Sequence, residues 1–195
     1  MLREIGQVTG EVHLLTRAAI YAVLYVVLTL SPGLGAISFM GAQFRVSEGL
    51  LPLAFVDPAA VVGIAVGTLI ANVASPLGPI DVVLGTLWTV IVVLAMYRVG
   101  PRLWALLIPV VVNGIGVGFE LWYVLGLDFH GFLVMVAQVA LGEAAVMATV
   151  GVTVWALAAR YWYVLGLSEE AGRRLGENPL IGRLSVHFLD AGRHA

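Results

Sequence analysis

Arg45 and Glu48 stand three residues apart at the mouth of an apolar run, Gly49-Leu50-Leu51-Pro52-Leu53-Ala54-Phe55-Val56. Further polar side chains, Asn72, Asp81, Asn113, Glu120, Gln138 and Glu143, recur singly in or beside other apolar stretches. In hydrocarbon a guanidinium or carboxylate is costly, so each needs an internal partner or a ligand. As a set they offer donors, acceptors and both signs of charge, which suits the holding of a small polar molecule. Covalent chemistry is poorly served. Cysteine is absent, which removes thiol catalysis, disulfides and thiolate metal sites. All ten basic residues are arginines, so a P-loop lysine is missing and any ATP hydrolysis must come from another subunit. His13, His130, His187 and His194 lack metal-ligand spacing; no metal or cofactor is expected.

The elements that must position these residues are membrane spans. Hydrophobic residues make up 61% of the 195 and charged ones 11%, where a soluble domain carries about 25% charge. The fold class expected is all-α, a polytopic membrane protein. Breaks at Ser31-Pro32-Gly33, Asp57-Pro58, Ser75-Pro76-Leu77-Gly78-Pro79, Gly100-Pro101 and the Asp128 loop divide it into a six-transmembrane-helix bundle. The spans run over about 17–31, 43–56, 58–74, 81–97, 103–125 and 132–163, the second as one tilted or broken helix and the fifth kinked at Pro109. Residues 1–16 read as a cytoplasmic segment without a signal-cleavage pattern. Residues 17–165 form the membrane domain, and 166–195 a charged cytoplasmic tail for which an interfacial helix and disorder both stand open.

Arginine placement sets the orientation. With both termini in the cytoplasm, six spans leave Arg3, Arg17, Arg98, Arg102, Arg160, Arg173, Arg174, Arg183 and Arg193 inside and Arg45 alone outside. That is the asymmetry of the positive-inside rule at the cytoplasmic (inner) membrane. Counting about 1.5 Å per residue down each span then puts the polar side chains in one outward-facing shell above a dry inner half. An ion pore or proton relay would spread them through the full thickness. Trp122-Tyr123-Val124-Leu125-Gly126-Leu127 recurs as Trp162-Tyr163-Val164-Leu165-Gly166-Leu167, read as two interfacial aromatic anchors.

The stretch Gln43-Phe44-Arg45-Val46-Ser47-Glu48, the series Asn72, Ser75-Pro76, Gly78, Asp81, Gly85-Thr86, Thr89, and Asn113 followed by Glu120 resemble the QueT family over about residues 17–160. Members are substrate-binding S components of energy-coupling factor (ECF) transporters, assigned to queuosine precursors. The resemblance implies a six-helix bundle capturing a 7-deazaguanine near its outer face. It also implies as partners a membrane coupling subunit and two ATPase subunits, besides the lipid bilayer, with no nucleic acid. Docking on the coupling subunit would use small residues of the first helix, here Ala18 and Ala22. A guanine-like edge offers parallel N–H donors to a carboxylate, for which Glu143, Glu120 and Glu48 are candidates. Its carbonyl needs a donor from Asn72, Asn113, Gln138 or Gln43, its ring a face such as Trp88 or Phe39, and a cationic aminomethyl arm would favour a second carboxylate.

Each residue also has a structural reading. Arg45 and Glu48 can pair with each other, Asp57 and Asp81 can cap helices, and Asn72 and Asn113 can join helices by hydrogen bonds. Gly63-x-x-x-Gly67, Gly114-x-x-x-Gly118 and Ala18-x-x-x-Ala22 can be packing seams. Glu120 and Glu143 are harder to assign that way, since the outer half holds Arg45 as its one arginine. Two competing functions are a secondary transporter working alone on an ion gradient and an intramembrane enzyme using Glu120 and Glu143 as acid and base.

Overall fold

The computed structural model describes residues 2–31, 33–38 and 44–191, with side chains for 11–31, 33–35, 38 and 44–186. Every regular element among them is helical. α1 (Leu2–Leu30) and the short α2 (Leu34–Ser38) are followed by a 3₁₀ segment, Val46–Phe55, and α3 (Pro58–Asn72). A π turn, Asp81–Gly85, leads into α4 (Thr86–Val99), and a 3₁₀ turn, Leu103–Leu106, into α5 (Leu107–Leu125). α6 (Phe129–Val146) continues through a second π turn, Met147–Gly151, into α7 (Val152–Arg160), and α8 (Glu169–Gly176) and α9 (Pro179–Ala191) end the chain.

Four stretches are long and apolar enough to cross a membrane: Glu11–Leu30, Asp81–Val99, Leu103–Leu125 and Phe129–Arg160. Val46–Phe55 and Pro58–Asn72 are apolar but shorter. α1 begins well before residue 17, so the mixed amino-terminal segment is helical from Leu2 on. Pro109 falls in the first α turn of α5, where the missing N–H has no intrahelical role and a kink is not required.

The 3₁₀ segment is the centre of the bundle. Expected as a tilted or broken helix, it is a continuous tighter one, and every residue from Ser47 to Phe55 is buried. Pro52 lies inside it, and its ring and missing N–H work against an α-helical register there. The 3₁₀ form is also narrower, with about 3.0 residues per turn. α1, α3, α4, α7 and the second π turn all pack on it. A Cβ on Gly49 would sit 2.4 Å from Val150 Cγ1, which is how closely the π turn approaches. Leu51, Ala54 and Phe55 join Ile64, Val92, Val93, Met96 and Trp155 in a core with no exposed surface. Phe55 and Trp155 pack with ring centroids 5.0 Å apart.

Glycine decides two helix seams. On α3, a Cβ at Gly63 would meet the Ala18 carbonyl oxygen at 2.4 Å, and one at Gly67 the Ala22 oxygen at 2.9 Å. Ala18 and Ala22 are buried in this contact, so the small-residue face of α1 is covered by α3. Backbone-to-backbone approach inside the chain thus uses the same small residues that were expected to dock a partner. Gly114 and Gly118 of α5 receive Ala140 and Val136 of α6 in the same way.

The repeated six-residue motif closes a left-handed glycine turn in both copies, the first ending α5 and the second forming the turn after α7. Leu127 N–H donates to the Trp122 carbonyl at 3.2 Å and Leu167 N–H to that of Trp162 at 3.0 Å, around Gly126 at φ 64° and Gly166 at φ 67°. This is the six-to-one bond of a Schellman cap, which wants glycine at its left-handed position. Beyond it the tail folds back. Ser168 caps α8, Glu169 and Glu170 occupy its first turn and Arg173 and Arg174 its last, in keeping with the helix dipole. Arg173 binds Glu170 and Glu177 at 2.6 Å and holds the Glu170 carboxyl below its usual range. Leu175 and Ile181 are fully buried, and Trp155 Nε1 donates to the Leu175 carbonyl at 3.0 Å.

Candidate functional site: a closed polar cavity

At the start of the 3₁₀ segment, residues three apart eclipse one another, which brings Arg45 and Glu48 to one side. Arg45 Nη1 lies 3.9 Å from Glu48 Oε1, and both side chains are buried. Glu48 Oε1 also accepts a hydrogen bond from the Tyr25 hydroxyl of α1. One turn on, Thr29 Oγ1 and Ser47 Oγ are 2.7 Å apart. Structural pairing and exposure to a cavity therefore coexist at Arg45 and Glu48.

Four further elements close around this pair. Arg45, Glu48, Gly85, Thr89, Asn113, Val117 and Glu143 line one cavity. Glu143 comes from α6 and Asn113 from α5; Asn113 is the hydrogen-bonding neighbour of Glu143, and Glu48 and Arg45 are its charged ones. Glu143 is 3% exposed, and its Oε1 has no hydrogen-bond partner. The room left for solvent is about 10 Å³, close to the roughly 10–15 Å³ that one water needs. Sites for drug-sized ligands run to about 300–1,000 Å³. The cavity is thus closed in this conformation, and a heteroaromatic ring enters only if helices part.

A second polar group adjoins the first. Arg45 Nη1 donates to Asn72 Oδ1 at 3.4 Å, and Asn72 Nδ2 donates to the Asp81 backbone carbonyl at 3.0 Å. Asp81 does not cap its helix: the turn there is π, and neither carboxylate oxygen, though buried, has a donor. The carboxyl folds over Gly85, where a Cβ would stand 2.0 Å from Oδ1. It is a charged neighbour of Glu120, whose Oε1 accepts from Trp88 Nε1 at 2.9 Å. Trp88 in turn lies flat on Gly116, with ring carbons 2.6–2.7 Å from where a Cβ would be.

Of the residues singled out by sequence, Arg45, Glu48, Asn113 and Glu143 share the cavity wall, and Asn72, Asp81, Glu120 and Trp88 form the layer against it. Gln138 is half-buried and does not line the cavity. Gln43 and Phe39 lie outside the described residues. Sequence reasoning passed over Tyr25, and it had Thr89 in the family series without assigning it to the site. Tyr21, Tyr25 and Thr29 recur every fourth residue beside Ala18 and Ala22, and that polar stripe on α1 was the signal available.

Asp57 proves to be more than a cap. Oδ1 accepts from Ala59 N at 3.0 Å and from Arg17 Nη2 at 3.3 Å, and Oδ2 accepts from the Tyr21 hydroxyl at 3.0 Å. Arg17 Nη1 also donates to the Gly166 carbonyl at 2.7 Å, so α1, α3 and the turn after α7 are tied together. Among the described residues no three His, Asp or Glu are grouped as metal ligands would be.

A family model described as QueT transporter matches residues 15–160. A curated relative, "Queuosine precursor transporter QueT" of Lactococcus lactis subsp. cremoris (strain MG1363), is 44% identical over 73 residues. The match takes in 37% of this chain and 43% of the relative, so less than half of that protein's length is spanned. No solved structure matches.

Proposed function

Because the chain belongs to the QueT transporter family, we propose that it is the membrane-embedded substrate-binding subunit of an ATP-driven importer of the energy-coupling factor type. Its substrate is a queuosine precursor of the 7-deazaguanine type. Six spans place both termini in the cytoplasm at the inner membrane, with the short 3₁₀ segment and α3 as the second and third, held within the bundle by the longer helices. A coupling subunit and two ATPase subunits supply the energy, in keeping with a chain that has no P-loop lysine. A transporter family sets aside the intramembrane enzyme.

The observation that carries this reading is the meeting of Glu143, Asn113, Arg45, Glu48 and Thr89, from separate elements, in one cavity. Further along the same segment Leu51, Ala54 and Phe55 are fully buried, which suits a site sealed on its inner side. A donor–acceptor set of this kind rejects analogues that leave its groups unmatched, at about 1–3 kcal/mol for each. Calorimetric titration of the purified chain with guanine and a panel of 7-deazaguanines is the test. Saturable binding of a deazaguanine in preference to guanine is expected, without turnover. Uptake into vesicles by this chain alone, driven by a proton or sodium gradient, would sink the subunit reading in favour of a secondary transporter.

A further inference from the structure

Four buried carboxyls, Glu48, Asp81, Glu120 and Glu143, crowd a single guanidinium, Arg45, in and against the polar cavity. Each element packed there can be checked for compensating charge among the described residues. α1 brings Tyr25, which donates to Glu48; α3 brings Asn72, and α4 Thr89 and Trp88. α5 brings Asn113 and Glu120, and α6 Glu143. None of these adds a cation. Four carboxylates against one guanidinium would leave about three uncompensated charges out of water, which proteins avoid by neutralising the group instead. The geometry agrees. Glu120 Oε2 is buried and has no hydrogen-bond partner. Glu143 lines the cavity, and its Oε1 is buried and without a partner.

We infer that the cavity takes a ligand bearing a positively charged nitrogen, and that in the ligand-free state protons on Glu143 and Glu120 stand in for that charge. Binding is then an exchange: the cation arrives, a carboxyl proton leaves to solvent, and the charge within the bundle is unchanged. The reason is electrostatic: with protons gone and no cation, the cavity would hold mutually repelling carboxylates, and with both present the ligand's charge would have no counter-ion. This rests on the function proposed above and narrows it to a substrate carrying an ammonium, as in an aminomethyl 7-deazaguanine rather than the nitrile. Sign follows from the exchange. A ligand that displaces a proton binds more tightly as pH rises, by up to about tenfold per pH unit for one proton, until the free cavity is itself deprotonated.

The test combines infrared difference spectroscopy with calorimetry on the full chain in lipid nanodiscs, using 7-aminomethyl- and 7-cyano-7-deazaguanine as probes. The ligand-free protein is expected to show a protonated-carboxyl band at neutral pH that weakens in Glu143→Gln. The aminomethyl probe is expected to diminish the band and to bind at least tenfold more tightly than the nitrile. Titrations in two buffers of different ionisation heat should report about one proton released. Equal affinity for the two probes with no proton exchange would overturn the inference while leaving the proposed function standing. Should neither probe bind, the proposed function fails. The inference is then decided by the ligand-free wild-type band: present, it supports the stored protons; absent, it removes them.

Discussion

Tyr25 shows how one hydroxyl can matter at the rim of such a cavity. It has no exposed surface, and its donation to Glu48 is the contact that ties α1 to the charged end of the 3₁₀ segment. Replacing it with phenylalanine keeps the ring packing and leaves a buried acceptor short of a donor. Tyr25→Phe is therefore expected to cost about 1–3 kcal/mol of stability. A thermal scan in detergent should show the loss, whereas Tyr123→Phe, at a residue 65% exposed, should stay within about 0.5 kcal/mol of wild type. Arg45 could be singled out from sequence because a charge in apolar surroundings is conspicuous. Tyr25 was not conspicuous, since a tyrosine in an apolar helix reads equally well as an interfacial anchor.

Among the elements, α1 and α3 meet with backbones nearly touching, and the seam depends on what glycine lacks. A branched side chain at Gly63 would press on the Ala18 carbonyl, which cannot move aside without moving α1. Gly63→Val is expected to destabilise by about 1–3 kcal/mol or more through overpacking. Gly176→Ala, where nothing lies within 4 Å, should be neutral or slightly stabilising. Thermal melting of the two variants side by side checks this; equal melting points would mean that α1 is not held against α3. The small-residue spacing on α1 was visible in the sequence, but spacing does not say which neighbour fills the groove. The 3₁₀ segment was harder still. A proline in a short apolar run announces an irregularity, and only the surrounding helices determine that it stays continuous and tight.

For the whole molecule, α8 and α9 change what counts as the folded unit. The bundle's largest fully buried side chain, Trp155, touches Phe55 of the central segment and hydrogen-bonds to Leu175 of α8. Deleting residues 168–195 would uncover that tryptophan and strip away Leu175 and Ile181, each apolar side chain contributing roughly 1.5–3 kcal/mol when fully buried. The truncated chain is expected to melt several degrees lower than the full one. An unchanged transition would show that the tail rests on the bundle without supporting it.

Composition alone, through the need to satisfy every backbone group in hydrocarbon, determined that this chain is an all-helical membrane protein. Single charges in apolar stretches marked Arg45, Glu48, Glu120 and Glu143, because an isolated charge in such a setting demands an explanation. Tertiary structure decided which of the marked residues face one another, that Asp81 folds over Gly85 instead of capping a helix, and that Ala18 and Ala22 pack inside the chain. Side-chain spacing fixes a direction around one helix, whereas a cavity is a relation between five elements, and only packing sets their rotation and depth.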